Sequence, residues 1–296
     1  MSNQENQCLF KRIKSFFAKE DERKLLVHFH LYYIDQLDYF KKKLSNITLK
    51  NWTLYITMTE DNQDIKEKIL DYKPDAQIII VENKGYDIYP FLRVLQLVDL
   101  KHYDFILKVH TKNKQNNKNI TNFYQDYLWR DALVNAILTS KSQFNKCLNI
   151  FKRNYYAGMI GSDKCYCLKD GTAPEDTYLY TQACNKFNLP SEPHHFICGT
   201  MFICRANLMD KIKEISFLCE ANDFSVSKKT GDTGTLAHVF ERLFGAIVEL
   251  QNYSIIGISE PECSFLERIF SVKTTTHNKI YRILGIKISM NKDIAA

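Results

Sequence analysis

Apolar and polar positions between residues 24 and 110 alternate between two periods. "KLLVHFHLYY", starting at Lys24, is rich in β-favouring residues, whereas "IDQLDYFKKKLSNI" places Ile34, Leu37, Phe40, Leu44 and Ile47 at helical spacing. "WTLYITMTE" (52–60) reads as a strand, and "NQDIKEKILDYK" as a short helix stopped by Pro74. "AQIIIVEN" (76–83) is a β-branched run of the kind a sheet covered on both faces requires. "IYPFLRVLQLVDL" reads as a helix that tolerates Pro90 in its first turn, and "YDFILKVH" as a fourth strand. Strands and helices alternating at this spacing predict a doubly wound, mostly parallel α/β sheet. Its right-handed crossovers gather the C-terminal strand ends on one edge, where ligands bind.

Beyond about residue 115 the alternation stops. "NFYQDYLWRDALVNAIL" and "SQFNKCLNIFKRN" read as amphipathic helices, "YYAGMIGS" (155–162) as a strand, and 163–192 as irregular and polar. "HFICGTMFICRANLMDKI" (195–212) reads as strand, turn, strand, helix; "TLAHVFERLFGAIVEL" (235–250) is a further helix. The two ends, "FKRIKSFFAK" (10–19) and "HNKIYRILGIKI" (277–288), mix basic and apolar residues as basic amphipathic helices do. Such helices could rest on an anionic membrane or simply pack on the domain. The expected organisation is therefore a basic N-terminal segment (1–23), one α/β domain (24–265) with a nucleotide-binding half (24–115) and an acceptor half (116–265), and a helical C-terminal extension (266–296).

Composition adds limits. The chain has 296 residues, 45% of them hydrophobic and 25% charged, which suits a globular core. No apolar run is long enough for a membrane span, and the polar start "MSNQENQ" lacks a secretory signal's centre. The nine cysteines are odd in number and lack paired spacing apart from Cys165-x-Cys167, so reduced thiols and a cytoplasmic location are expected, with room for peripheral contact at the inner membrane face. A net charge of +6 is mild and dispersed, which disfavours a nucleic-acid partner.

Four clusters fall where the sheet would expose them. His28 and His30 share a face at the end of the first strand, and Tyr32 continues that row; two strand histidines are also ordinary core residues. In "ENKGYDIYPF" (82–91), Gly85 permits a tight turn or a close approach to a ligand. Asn83 and Asp87 flank it, and Asp87 suits either a helix cap or a sugar hydroxyl. After the fourth strand stand His110, Thr111 and Lys112, where a phosphate could be met by charge, although Lys112 also sits in a lysine-rich loop. In the second half, Gly199 and Thr200 form a turn suited to an acceptor pocket. Asp232 precedes a helix on which His238 shares a face with Glu241 and Arg242. Arg242 and Glu241 could equally form a structural ion pair. Neither a P-loop nor G-x-G-x-x-G is present.

The phrases "NKGYDIYPFL", "YDFILKVHTK", "FICGTMFICRANLM" and "AHVFERLFG" resemble the rhamnan synthesis protein F family of bacterial polysaccharide-building proteins. That resemblance implies a GT-A-like single-domain glycosyltransferase acting on lipopolysaccharide O-antigen, capsule or a related surface polysaccharide. Its donor would be a nucleotide-sugar, rhamnosyl by the family's name, and its acceptor a glycan or lipid-linked glycan. It implies that Asn83, Gly85, Asp87, His110 and Lys112 line the donor pocket; the residue reading adds His30, Tyr32 and Thr111 to the expected donor contacts and gives Gly199 and Thr200 as the acceptor side. Catalytic roles fall to Glu241, Asp232, His238 and Arg242, with Glu241 or Asp232 as general base. Many transferases with this kind of sheet carry an Asp-x-Asp after the fourth strand; here His110-Thr111-Lys112 replaces it. No obligatory metal is therefore expected at that position, and the need for Mg or Mn stays open. The rivals are a catalytically inactive nucleotide- or carbohydrate-binding module and a phospho- or nucleotidyltransferase, the latter disfavoured by the missing P-loop and acidic cluster.

Overall fold

The computed structural model describes residues 22–114, 126–168, 174–192, 194–225, 235–261, 270–274, 278–283 and 286–291. Residues 1–21 of the expected N-terminal segment (1–23) and Asp232 lie outside these residues.

Seven strands form the central sheet in the order β3-β2-β1-β4-β8-β5-β9. They are β1 (Lys24–His30), β2 (Asn51–Met58), β3 (Gln77–Ile80), β4 (Phe105–His110), β5 (Ala157–Ser162), β8 (Phe202–Arg205) and β9 (Ser254–Ile258). β1 runs parallel to both β2 and β4, β2 to β3, and β5 to β9; β8 alone is antiparallel to its neighbours β4 and β5. β6 (Tyr166–Leu168) and β7 (His195–Ile197) form a separate antiparallel pair.

The helices are α1 (Leu37–Leu44), α2 (Gln63–Tyr72), α3 (Ile88–Leu97), α4 (Leu128–Leu138), α5 (Lys141–Arg153), α6 (Pro174–Lys186), α7 (Asp210–Ser216) and α8 (Leu236–Leu250). Alternation in β1 explains why helices cover both faces. Phe29 stacks on Phe40 of α1, while its neighbour His28 points the other way onto Phe91 of α3. β1 and β4 lie in the middle of this sandwich, and every residue of β4 is buried. α4 and α5 pack on β5, whereas α8 packs on β7 and β9. The α8 contact is unusually close: a Cβ at Gly245 would lie 1.9 Å from the His195 carbonyl oxygen. The missing side chain lets the two backbones meet.

Three expectations change. The "AQIIIVEN" run is an edge strand of four residues, paired with β2, and Ile80 is 42% exposed. A β-branched run signals strand, but its position in the sheet depends on which neighbours arrive. Within 163–192, expected to be irregular, α6 forms; Tyr180, Ala183, Cys184 and Phe187 are buried and recur at helical spacing. The C-terminal stretch expected as a basic amphipathic helix is instead β-structure. Here β10 (Phe270–Thr274), β11 (Asn278–Ile283) and β12 (Ile286–Asn291) make an antiparallel three-stranded sheet in a unit of its own, residues 261–296. Val272, Tyr281, Ile283, Ile286 and Ile288 recur every second residue within their strands, the strand period, and β-branched side chains favour that state.

Candidate active site

Strand register builds the site. Parallel pairing of β1 with β4 sets His28 beside Lys108 and His30 beside His110. One face of two central strands thus carries four polar side chains where apolar ones would be expected. All four are buried. Thr57 of β2 accounts for the histidines of β1, its hydroxyl lying 2.9 Å from His28 Nε2 and 3.0 Å from His30 Nδ1. Burial, with Lys108 nearby, holds His28 well below its usual range; burial brings His30 down to about 4 and His110 to about 3. Burial thus disfavours the charged form of all three rings.

At the C-terminal ends of β1 and β4 lies a cleft of about 640 Å³. Its walls combine His30, Tyr32, Asn83, Asp87, His110, Thr111, Lys112, Gly199, Thr200, His238 and Glu241 from the expected set. Residues more than 200 positions apart in sequence meet there, because α8 brings Glu241 under the β7–β8 turn. Glu241 Oε1 accepts a 2.6 Å hydrogen bond from the Gly199 amide.

Asp87 stands at the N-cap position of α3, yet its side chain makes no cap hydrogen bond. It is instead ion-paired with Lys108 and hydrogen-bonded by the Thr200 hydroxyl. Lys108 Nζ also donates to the hydroxyl (2.8 Å) and carbonyl (3.1 Å) of Thr200. Burial opposes charge on Asp87, but His110, Lys108 and Lys112 hold the carboxyl well below its ordinary range. Thr200 is β-branched and has φ of 53°, a strained conformation that these bonds to both its hydroxyl and its carbonyl hold in place.

His110 sits at the cleft floor with Nε2 2.8 Å from Gly199 O and Nδ1 3.0 Å from Thr111 O. Both ring nitrogens face carbonyl oxygens, which only ring N–H groups can bond. The ring therefore braces the Gly199 turn, and donation to a phosphate would require giving that bond up. Thr111 is likewise occupied: its Oγ1 accepts the amides of Tyr32 (3.1 Å) and Tyr33 (3.0 Å), tying the tip of β1 to that of β4. Lys112 differs. Its ammonium rests 3.7 Å from the Trp129 ring centroid, a cation–π contact that positions it on the cleft wall. Among the described residues it is the one lysine or arginine lining the cleft. Burial lowers its pKa, and Asp87 and Glu241 oppose that fall.

Two expected residues do not reach the cleft. Gly85 has φ of +60° and makes the turn before α3, with its carbonyl accepting the Ile88 amide at 3.0 Å. An added Cβ would lie 2.7 Å from the Phe224 ring, so the space beside Gly85 is filled by packing. Arg242 is buried beside Glu241, its guanidinium 3.7 Å from that carboxylate as the expected structural ion pair, donating to the His238 carbonyl at 2.7 Å and lying over Phe196. His238 does face the cleft, 2.9 Å from the Thr235 hydroxyl and edge-on to Tyr86.

Sequence reasoning passed over Lys108, Tyr86, Trp129 and Cys198. Lys108 had a signal: a lysine inside an apolar strand, two residues before His110 and so on its face. Trp129 had none, since its place depends on how α4 docks. Among the described residues no group of three or more His, Cys, Asp or Glu is arranged to hold a metal ion. Asp87, the carboxylate nearest the strand ends, is committed to Lys108 and Thr200. No helix among the described residues is long and apolar enough to cross a membrane.

Comparison with known proteins places these features. Two curated relatives, both termed uncharacterized protein WxcX, come from Xanthomonas campestris pv. campestris, strains ATCC 33913 and B100. They are 26% and 25% identical over 238 residues, 78% of this chain. The chain spans about a third (32%) of their length. Solved structures to which the chain is similar include Staphylococcus aureus TarS 1–349 in complex with UDP-GlcNAc (TM-score 0.39, 10% identity, covering 80% of this chain and 56% of that one). Another is 4-diphosphocytidyl-2C-methyl-D-erythritol synthase from Anaerococcus prevotii (TM-score 0.40, 11% identity, 84% and 93%). The model of the family described as rhamnan synthesis protein F matches residues 6–253, and the chain belongs to that family.

Proposed function

We propose that the chain is a nucleotide-sugar-dependent glycosyltransferase of bacterial surface-polysaccharide assembly, with a GT-A-like domain. The observation that carries this reading is the pairing, in one cleft at the strand ends, of a positioned cation with a positioned carboxylate. Lys112 is held on Trp129, and Glu241 is held by the Gly199 amide. The exposed ring of Tyr32 and the rings of Tyr33 and Tyr86 offer stacking surfaces for a nucleobase. Asn83 Nδ2, 3.5 Å from the Tyr32 hydroxyl, lies beside them for a ribose or sugar hydroxyl.

In this reading Lys112 stabilises the charge that grows on the departing nucleoside diphosphate. Glu241 takes the proton of the acceptor hydroxyl as that oxygen attacks the anomeric carbon. Lys108 cancels the charge of Asp87, so the carboxylate orients Thr200 without repelling the diphosphate. The family's name favours a rhamnosyl donor, and assembly of a surface polysaccharide favours a lipid-linked glycan acceptor.

The test is a thermal-shift screen of nucleoside diphosphates and nucleotide-sugars, with and without manganese, followed by donor turnover. A nucleoside diphosphate should stabilise the protein in proportion to ligand concentration. Slow release of diphosphate from the matching nucleotide-sugar without acceptor would mark the transferase. A donor bound tightly yet left intact, with every acceptor glycan tried, would mark a binding module. Absence of stabilisation by any nucleotide would refute both.

A further inference from the structure

The backbone of Lys112 is held as well as its ammonium. β4 ends at His110, and Thr111 still joins the ladder through its amide, 3.1 Å from the His30 carbonyl. At Lys112 a side chain takes over from the ladder. Gln36, in the turn between β1 and α1, donates Nε2 to the Lys112 carbonyl at 2.7 Å. This glutamine is only 4% exposed, an uncommon place for an amide. Both ends of the amide are used, because Oε1 accepts Arg130 Nη1 at 3.2 Å. An arginine can only donate, so the amide oxygen faces Arg130 and the NH2 group faces Lys112.

Arg130 is itself fixed. Its guanidinium lies between the rings of Tyr39 and Tyr127, 3.7 and 4.0 Å from their centroids. Its Nε and Nη2 both reach Asp131 Oδ1, at 2.9 and 2.8 Å, and the same oxygen accepts the Tyr39 hydroxyl at 2.8 Å. A planar cation stacked and paired in this way has little freedom left. The first turn of α4 therefore grips Lys112 at both ends. Trp129 lies against the ammonium, and the next residue, Arg130, acts on the carbonyl through Gln36.

We infer that Gln36 is a positioning residue for Lys112: it fixes the lysine's backbone so that the ammonium stays over Trp129, at the point of the cleft where a diphosphate is met. Lysine carries its charge on a flexible four-carbon stem, and a contact at the tip alone leaves the stem many arrangements. Anchoring the carbonyl removes the backbone part of that freedom before a ligand arrives. Gln36 itself does not line the cleft, so it acts through Lys112. That the ammonium meets a diphosphate rests on the function proposed above; the hold on Lys112 does not.

The hold is read from Trp129. The chain has two tryptophans, so Trp52→Phe leaves Trp129 to report the ammonium over its ring. In that background Lys112→Ala should shift the emission. Gln36→Met, which keeps the length of the side chain without its amide, should shift it the same way. Gln36→Glu is the second variant. Its carboxylate keeps the bond to Arg130 with added charge but brings no N–H to the Lys112 carbonyl, so it should hold the fold and shift the emission too. Emission moved by Lys112→Ala but by neither Gln36 variant would overturn the hold.

The consequence for a ligand is read by calorimetric titration with inorganic pyrophosphate, a diphosphate without base or sugar. Gln36→Met should weaken its binding by at least about threefold. In the Lys112→Ala background the same change should add nothing, because the ammonium whose place it governs is gone. A further loss of equal size there would show that Gln36 serves the fold alone, and the positioning role would fall. Pyrophosphate affinity equal in the unsubstituted chain and Lys112→Ala would overturn the diphosphate role of the lysine, while the Trp129 emission still decides the hold.

Discussion

Lys108 and Asp87 form an ion pair whose ammonium is fully enclosed and whose carboxylate is 14% exposed, and both partners also bond the strained Thr200. A lysine from a wholly buried strand is thereby held by the residue that opens α3. The pair joins the sheet, the helix and the β7–β8 turn at the cleft floor.

Removing one partner leaves a buried charge without its counter-ion. Lys108→Ala should cost about 3–5 kcal/mol of stability. Lys108→Ala combined with Asp87→Ala should cost less than the sum of the two single changes. Urea denaturation of the four proteins measures that coupling. Additive losses would show that the ion pair does not act as a unit.

The buried histidines make the fold acid-sensitive. His28, His30 and His110 resist protonation in the fold but bind protons readily once unfolded, so the unfolded state takes up more protons as pH falls. Stability is complete above the ordinary histidine value of 6.5 and should decline from there through about 4, where His30 itself titrates in the fold, to about 3, where His110 does. Asp87, with its depressed pKa, adds a loss at still lower pH. Urea midpoints across this window give the slope, and His30→Gln should flatten it; an unchanged slope would exclude His30 as a contributor.

Two glycines are expected to refuse a methyl group for different reasons. Gly85→Ala meets both a left-handed backbone and the Phe224 ring, and Gly245→Ala meets the β7 backbone. Each should lose about 1–3 kcal/mol. Gly245→Ala should also lift Glu241 from the Gly199 amide. Calorimetry of each variant gives the loss.

Lys112 and Glu241 should separate binding from chemistry. We expect Lys112→Ala to keep the fold and bind nucleoside diphosphate at least tenfold more weakly, a difference of about 1.4 kcal/mol. Glu241→Gln should retain donor binding and lose transfer. Equal diphosphate affinity in the first variant, or full turnover in the second, would remove the corresponding role. Titration calorimetry and a transfer assay provide the two readings.

Alternation and helical spacing determined by themselves that residues 24–110 form a parallel α/β unit, since those periods report directly which positions face a core. "KGYDIYPF" and "KVHTK" likewise marked the strand ends where the cleft lies. Only the tertiary structure decided the rest. It placed the "AQIIIVEN" strand at an edge, because a β-branched run records its own conformation and not its neighbours. Register against β1 brought Lys108 and His110 beside His28 and His30, and the docking of α8 set Glu241 beneath Gly199. A lysine's partner, a tryptophan's place under an ammonium and a turn braced from three sides depend on contacts between residues far apart in the chain, and local periodicity carries no record of those.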